Sequence, residues 1–250
     1  MAFDLQPAHA GEGTRGRPPS LCPVARPRTP KGRTREVASR LADEYPEAIC
    51  ELDHRNPYEL LAATILSAQT TDTRVNMVTP VLFARYPTPY DLAAAAPSDV
   101  EHIVRSTGFY ASKAKNLIGM GQALVERFDG EVPTALADLV TIPGVGRKTG
   151  NVVRSVAFDL PGLPVDTHVR RLSNRLGLTT QDDPVKIELE LNSYLPARER
   201  GRFSLRMILH GRRICDARNP QCGRCVLEDI CPSSRVPRRV AGRRTQVVAV

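Results

Sequence analysis

The sequence predicts an all-α fold, and three observations carry that prediction. Helix-start signals recur along the chain, apolar residues between them follow a helical period, and no convincing run of alternating β-branched residues marks a strand. Helical punctuation begins at about Lys31. Asn56-Pro57-Tyr58-Glu59 reads as a cap, a first-turn proline and a capping-box acid, opening the apolar helix "LLAATILSA". Thr70 or Thr71 caps "DTRVNMVTPVLFARY", which tolerates Pro80 only as a kink. Thr88-Pro89 opens the Ala-rich "DLAAAA", and Pro97-Ser98 opens a short helix ending at Thr107-Gly108. Residues 112 to 128 form a longer amphipathic helix, with Lys113 and Lys115 expected on its outer face. Pro133-Thr134 starts "ALADLV", a helix follows over 147 to 158, and Asp166 begins "THVRRLSNRLG", which stops at Gly177. Two further helices, near 183 to 195 and 197 to 211, lead into a cluster of cysteines.

With 250 residues and 41% apolar content, the chain can bury one or two cores, and nothing in it approaches the roughly 18 continuous apolar residues of a membrane span. The opening "MAFDLQPAHAGEGTRG" has neither an apolar signal core nor a basic leader, so a cytoplasmic location is expected. Four of the six cysteines crowd between Cys215 and Cys231, while Cys22 and Cys50 stand alone; that pattern favours a metal centre over disulfides.

The formal charge of +8 is unevenly placed. Residues 1 to 35 carry seven basic and two acidic side chains, and residues 232 to 250 carry five arginines and no acid, leaving 23 basic against 25 acidic in the body. The surplus therefore sits in two tails rich in Pro, Gly, Arg and Ser, compositions that cannot bury enough apolar surface to order themselves. Any nucleic-acid surface in the body must be a local patch. Its candidates are Arg147, Lys148, Arg154, Arg170, Arg171, Arg175 and the run from Arg198 to Arg213, with the acids Asp182, Asp183, Glu188 and Glu190 expected to face elsewhere.

The segment "LVTIPGVGRKTGNVV", Leu139 to Val153, looks built to hold a phosphate. A nucleotide P-loop is excluded three times over. Thr141 stands where its first glycine belongs, Arg147 intrudes before Lys148, and the preceding segment is helical rather than a strand. What remains is helix, tight Gly-Val-Gly turn, helix, in which Gly144 and Gly146 let the backbone approach a ligand and the free amides of the second helix point outward. That arrangement suits a DNA phosphate; a lone Gly-x-Gly, by contrast, is more often a simple connector.

Lys148 shifts the balance. It lies in the first turn of a helix beside Arg147, where the macrodipole and a neighbouring cation both disfavour its charged form. A neutral amine is a nucleophile towards a sugar C1′ or an aldehyde, whereas most lysines at helix starts are merely solvated. Eighteen residues on, Asp166 sits at another helix start: singly an N-cap, but also a carboxylate able to accept the amine proton and stabilise a cationic sugar. Cys215-x6-Cys222-x2-Cys225-x5-Cys231 puts four thiols within 17 residues, with arginines interleaved. Such a set binds zinc or an iron–sulfur cluster, and the long first gap favours [4Fe-4S].

Together "LSAQTTD", "TGFYASKAKNL", "PGVGRKTGNVV", "VDTHVRR" and "LHGRRICDARNPQCGRCVLEDICP" resemble the endonuclease III family of helix-hairpin-helix DNA glycosylases in order and spacing, over roughly Arg33 to Pro232. The resemblance implies a six-helix barrel domain with the hairpin (50–160) and a [4Fe-4S] cluster domain joining an N-terminal helix (31–49) to residues 161–232, flanked by disordered basic tails at 1–30 and 233–250. It implies a bifunctional enzyme of base excision repair that removes oxidised pyrimidines through a lysine Schiff base and cleaves the strand by β-elimination. Lys148 matches the family's nucleophile, Asp166 its carboxylate, and Cys215, Cys222, Cys225 and Cys231 its cluster ligands. Gln69 matches the residue that fills the gap left by a flipped nucleotide. The implied DNA contacts are completed by Phe109, Gly144, Gly146, Arg147 and His168.

Damaged or abasic double-stranded DNA is the expected partner of a monomeric, nucleoid-associated protein. Two positions depart from the family pattern. Phe109 stands where a leucine wedge is common, and is either an inserting side chain or a core residue. Gly150 replaces the usual alanine behind Lys148, at a cost of about 1 kcal/mol in a helix interior. Three alternatives stand beside this reading. One is an abasic-site (AP) lyase with weak glycosylase activity. Another, a cluster-bearing adenine glycosylase, has no use for Lys148. The third, a non-catalytic DNA-binding or redox-sensing module, has no reason to keep both Lys148 and Asp166.

Overall fold

The computed structural model describes residues 27–237, all of them helix, turn or loop; most of both basic tails lies outside the described residues. The helices are α1 (Pro30–Glu44), α2 (Pro57–Leu66), α3 (Asp72–Arg85), α4 (Pro89–Ala93), α5 (Pro97–Val104), α6 (Tyr110–Phe128), α7 (Leu136–Leu139), α8 (Arg147–Ala157), α9 (Thr167–Arg175), α10 (Pro184–Tyr194) and α11 (Arg200–Arg213). None of them is long and apolar enough to cross a membrane.

The start signals act as expected. Asn56, Thr71, Thr88, Asp166 and Asp183 each accept a backbone amide of the first turn, and prolines occupy the opening positions of α2, α4, α5 and α10, where no amide is needed. Glu59 is one local difference. Its carboxylate turns back to the Arg55 amide at 2.8 Å and to the Arg55 guanidinium, not to the cap residue. Helix α3 runs through Pro80.

Burial divides the helices between two hydrophobic cores. In the first, α2 is the central member, buried along almost its whole length, and Leu60, Leu61 and Leu66 meet Leu82, Leu117, Met120, Leu124, Leu139 and Val153. In the second, Val37 and Leu41 of α1 pack with Leu172, Ile187, Leu191, Phe203 and Met207, so the N-terminal helix completes a core built mainly from the C-terminal third. Helix α11 packs on both α8 and α9 and so ties the hairpin to the second core. Between the cores, Arg212 of α11 pairs with Asp72 at 2.8 Å and with Glu51.

Helix α6 corrects the sequence reading at one position. Lys115 is exposed as expected, but Lys113 is only 4% exposed and lies on the apolar stripe with Leu117, Met120 and Leu124. The i, i+4, i+7 spacing put it there; residue type alone suggested solvent.

Candidate functional site

The hairpin consists of α7, a turn from Ile142 to Gly146, and α8. Buried Ile142 and Val145 anchor the turn in the first core, with the Val145 amide donating to the Ile142 carbonyl at 3.0 Å. Gly144 has a left-handed φ of 78°, and a methyl there would stand 2.9 Å from Asn116 Cβ, so the turn itself requires glycine. Gly146 is different. Its backbone is extended (φ −89°, ψ 174°) and a methyl would meet nothing within 4 Å. Nothing among the described residues requires glycine at this position.

Gly146 is also the N-cap of α8, and a residue without a side chain offers no acceptor to the amides of the first turn. The first backbone bond of α8 runs from the Gly150 amide to the Gly146 carbonyl, which leaves the amides of Arg147, Lys148 and Thr149 without an acceptor among the described residues. These donors and the positive end of the helix face open space, a ready anion site.

Lys148 is exposed, and its ammonium has no hydrogen-bond or ion-pair partner among the described residues. Arg147 is not the free neighbouring cation that the sequence suggested. Its Nε and Nη2 donate to the two carboxylate oxygens of buried Glu188 on α10, both at 2.8 Å, and the carboxylate holds the guanidinium pKa above its ordinary value. Behind the lysine, Gly150 is buried, and the space an alanine methyl would need is taken by Leu136, whose Cδ1 would stand 2.6 Å away.

Asp166 caps α9. Its Oδ1 accepts the amides of His168 and Val169, each at 2.8 Å, while Oδ2 has no hydrogen-bond partner among the described residues. His168, half-buried, accepts at Nδ1 from Arg171 Nη2 at 3.1 Å and packs on α11 at Gly211, where a methyl would clash with it.

The expected arginine patch needs a second correction. Acids expected to face elsewhere instead meet it: Glu188 holds Arg147, and Asp182 holds Arg170 at 2.6 and 2.9 Å. Arg154 donates to the carbonyls of Thr134 and Pro161, Arg171 to those of Gly211 and Cys215, and Arg175 to those of Asp216 and Ala217. These guanidiniums shape loops, because planar forks with several donors suit carbonyl clusters.

Gln69 and Phe109 stand on separate loops. Both take left-handed backbone, φ 54° and 48°, and both are exposed. Phe109, at 69% exposure, is not a core residue.

Cys215, Cys222, Cys225 and Cys231 line one cavity of about 250 Å³ together with Arg175 and His210. Two donors face the sulfurs, Arg175 Nη1 at 3.4 Å from Cys215 Sγ and the Leu227 amide at 3.4 Å from Cys225 Sγ, and His210 Nε2 stands 3.3 Å from Cys225 Sγ. Burial pushes the Cys225 thiol up to about 12 and raises that of Cys231, because an apolar surround penalises an uncompensated thiolate. The iron of a cluster supplies that compensation. His210, buried and with its pKa pushed down to about 4 by desolvation, links Cys225 to the Tyr45 hydroxyl, 3.1 Å from its Nδ1.

Residues 62–197 match the model of the HhH-GPD superfamily base excision DNA repair protein, and residues 215–231, bounded by the first and last of the four cysteines, match the iron–sulfur binding domain of endonuclease III. Endonuclease III of a Synechocystis species is 50% identical over 206 residues, which cover 82% of this chain and 94% of that protein. The chain belongs to the endonuclease III family. Endonuclease III of Escherichia coli K12 is 39% identical over 201 residues, covering 80% of this chain and 95% of that one. A trapped endonuclease III–DNA covalent intermediate, an estranged-adenine complex, superposes with a TM-score of 0.78 at 45% identity, over 81% of this chain and 96% of that chain. As a member of the endonuclease III family, the protein is a base-excision-repair DNA glycosylase with AP lyase activity, and its cofactor is a [4Fe-4S] cluster.

The sequence reading missed His210, Lys113 and the Arg147–Glu188 pair. Helical spacing carried a signal for Lys113; partners 15 and 41 residues away in sequence carried none for the other two.

Proposed function

We propose that Lys148 is the nucleophile, Asp166 the carboxylate that serves it, and oxidised pyrimidines in duplex DNA the substrate. The observation that carries the assignment is the uncapped start of α8, which presents free amides and an unpartnered lysine in the same turn. A phosphate bound by those amides sets the strand beside the amine. Lys148 Nζ attacks C1′ of the damaged nucleotide, and the glycosidic bond breaks with its electron pair leaving on the base. Asp166 Oδ2 accepts the proton released from the amine and stabilises the cationic sugar, while Oδ1 stays on its helix amides. Opening of the sugar ring gives the Schiff base. Loss of a C2′ proton then expels the 3′ phosphate by β-elimination, and water hydrolyses the imine to free the lysine.

Cys215, Cys222, Cys225 and Cys231 are proposed as the cluster ligands, with the cluster organising the loop that Arg171 and Arg175 brace. Gln69 and Phe109 are proposed to enter the duplex, and Gly144, Gly146, Arg147 and His168 to line the strand. The two cores support a barrel domain over 50–160 and a cluster domain over 31–49 and 161–232. The protein is proposed to act as a monomer in the cytoplasm, at the nucleoid.

Borohydride trapping tests the assignment. Wild-type protein is expected to form a covalent adduct with a thymine glycol duplex and with an abasic duplex, and Lys148→Ala to form neither while still binding both. A mutant adduct equal to wild type would refute Lys148 as the nucleophile.

A further inference from the structure

Gln69 and Phe109 are two of four exposed non-glycine residues in left-handed backbone among the described residues, with Asp129 and Asp159; for a non-glycine residue that conformation costs about 1–3 kcal/mol and persists only where the surroundings over-determine it. The two loops are far apart in sequence but meet at one buried side chain. Lys113 Nζ donates to Thr70 Oγ1 at 2.7 Å and to the Thr107 carbonyl at 2.8 Å, and the Thr70 hydroxyl itself donates to that same carbonyl at 2.5 Å. Thr70 follows Gln69 directly, and Thr107 precedes Phe109 by two residues. The Lys113 amide also takes the Phe109 carbonyl at 3.0 Å.

Lys113 is almost fully buried, and no carboxylate pairs with it among the described residues; burial alone lowers its pKa. A buried ammonium without a counter-charge is unfavourable, and an apolar side chain would suit the α6 stripe better. What the lysine offers is a set of donors reaching two loops at once.

We propose that Lys113 is a positioning residue that locks the Gln69 and Phe109 loops into one rigid unit, so that both side chains enter the duplex together. The inference rests on the reading that these side chains enter the DNA. A helix start or a surface patch could be lost from one loop without affecting the other; this clamp couples them. Its loss leaves each loop free to relax from left-handed backbone, and the pair then no longer fills the gap beside an everted nucleotide.

The test compares one chemistry in two contexts: cleavage of an abasic site in duplex DNA, where a gap must be filled, and in single-stranded DNA, where there is none. Lys113→Met keeps the volume and removes the donors, and Thr70→Val keeps the lysine but removes the shared hydroxyl, one of its two acceptors. Both variants are expected to slow single-turnover duplex cleavage roughly tenfold or more, since small misplacements of positioning groups have effects of that order, and to leave single-strand cleavage nearly unchanged. 2-Aminopurine opposite the abasic site should show a correspondingly delayed fluorescence change. Duplex cleavage at the wild-type rate in both variants would overturn the proposal, as would equal losses on the two substrates. Gln69→Ala and Phe109→Ala, measured alongside, separate the two layers: if they leave duplex cleavage intact, the duplex-entry reading itself has failed.

Discussion

Gly144 and Gly146 lie two residues apart in one turn, yet replacing each with alanine should give opposite phenotypes. For Gly144→Ala, left-handed backbone at φ 78° costs an L-residue about 1–2 kcal/mol. The methyl, 2.9 Å from Asn116 Cβ, adds about 1–3 kcal/mol of overpacking, so a loss of about 2–5 kcal/mol in folding stability is expected. For Gly146→Ala, the extended backbone admits any residue and the methyl meets nothing. The poorer N-cap costs about 0.5 kcal/mol, and the reduced freedom of the unfolded chain returns about 0.4–1 kcal/mol, so stability should hardly change. The methyl does stand beside the open amides of α8. If it displaces a phosphate from one of them, the lost charge-assisted bond is worth about 1.5–3 kcal/mol, or about ten- to a hundredfold in affinity. Urea unfolding and fluorescence anisotropy on a duplex with a tetrahydrofuran abasic analogue read the two quantities separately. Wild-type affinity in Gly146→Ala, or a stability loss matching that of Gly144→Ala, would refute the assignment of this turn as a phosphate site.

Asp166→Asn keeps the oxygen that caps α9 and should melt like wild type while slowing base removal by orders of magnitude, whereas Asp166→Ala should in addition lose about 1 kcal/mol of stability; parallel calorimetry and single-turnover excision would distinguish capping from chemistry. Arg147→Met strands the Glu188 carboxylate, which is only 7% exposed, and the usual penalty for a broken buried pair, discounted because the Arg147 side chain is 40% exposed, suggests about 2 kcal/mol. Adding Glu188→Leu should recover most of that loss in a double-mutant cycle, and its failure to do so would mean the pair is not what holds α8 to α10. Burial raises the Tyr58 phenol above its ordinary value of 10.0, and its hydroxyl donates to the Tyr86 carbonyl at 3.0 Å. The folded state thus keeps a proton that the unfolded chain releases, so this contribution to stability is complete below pH 10 and falls away as pH rises beyond it. Tyr58→Phe should be less stable than wild type near neutrality by about 1 kcal/mol and should lose less stability than wild type above pH 10, as urea midpoints across that range would reveal.

Much of this protein could be read from its sequence because the decisive signals are local. Asn56, Thr71, Thr88, Asp166 and Asp183 cap their helices because a short polar side chain reaches an amide only two or three residues on, whatever the rest of the chain does. The run from Cys215 to Cys231 is equally local: four cysteines within 17 residues need little tertiary help to face one cavity. Gly146, Lys148 and Asp166 belong to the same class, since the role proposed for each rests on its place at a helix start.

Tertiary structure decided the partners. Arg147 and Glu188 are 41 residues apart in sequence, and nothing in either's neighbourhood announces the other; charge counting placed the acid away from the arginine it neutralises. Lys113 was misread for a related reason. Composition rules send lysine to solvent, and only the carbonyl and hydroxyl that two other loops bring to its end make burial tolerable. Which arginines remain open to DNA depended likewise on the carbonyls that folding placed beside Arg154, Arg171 and Arg175. A chain encodes its helix starts over a few residues, but hydrogen bonds and ion pairs across the fold exist only once the two cores have formed.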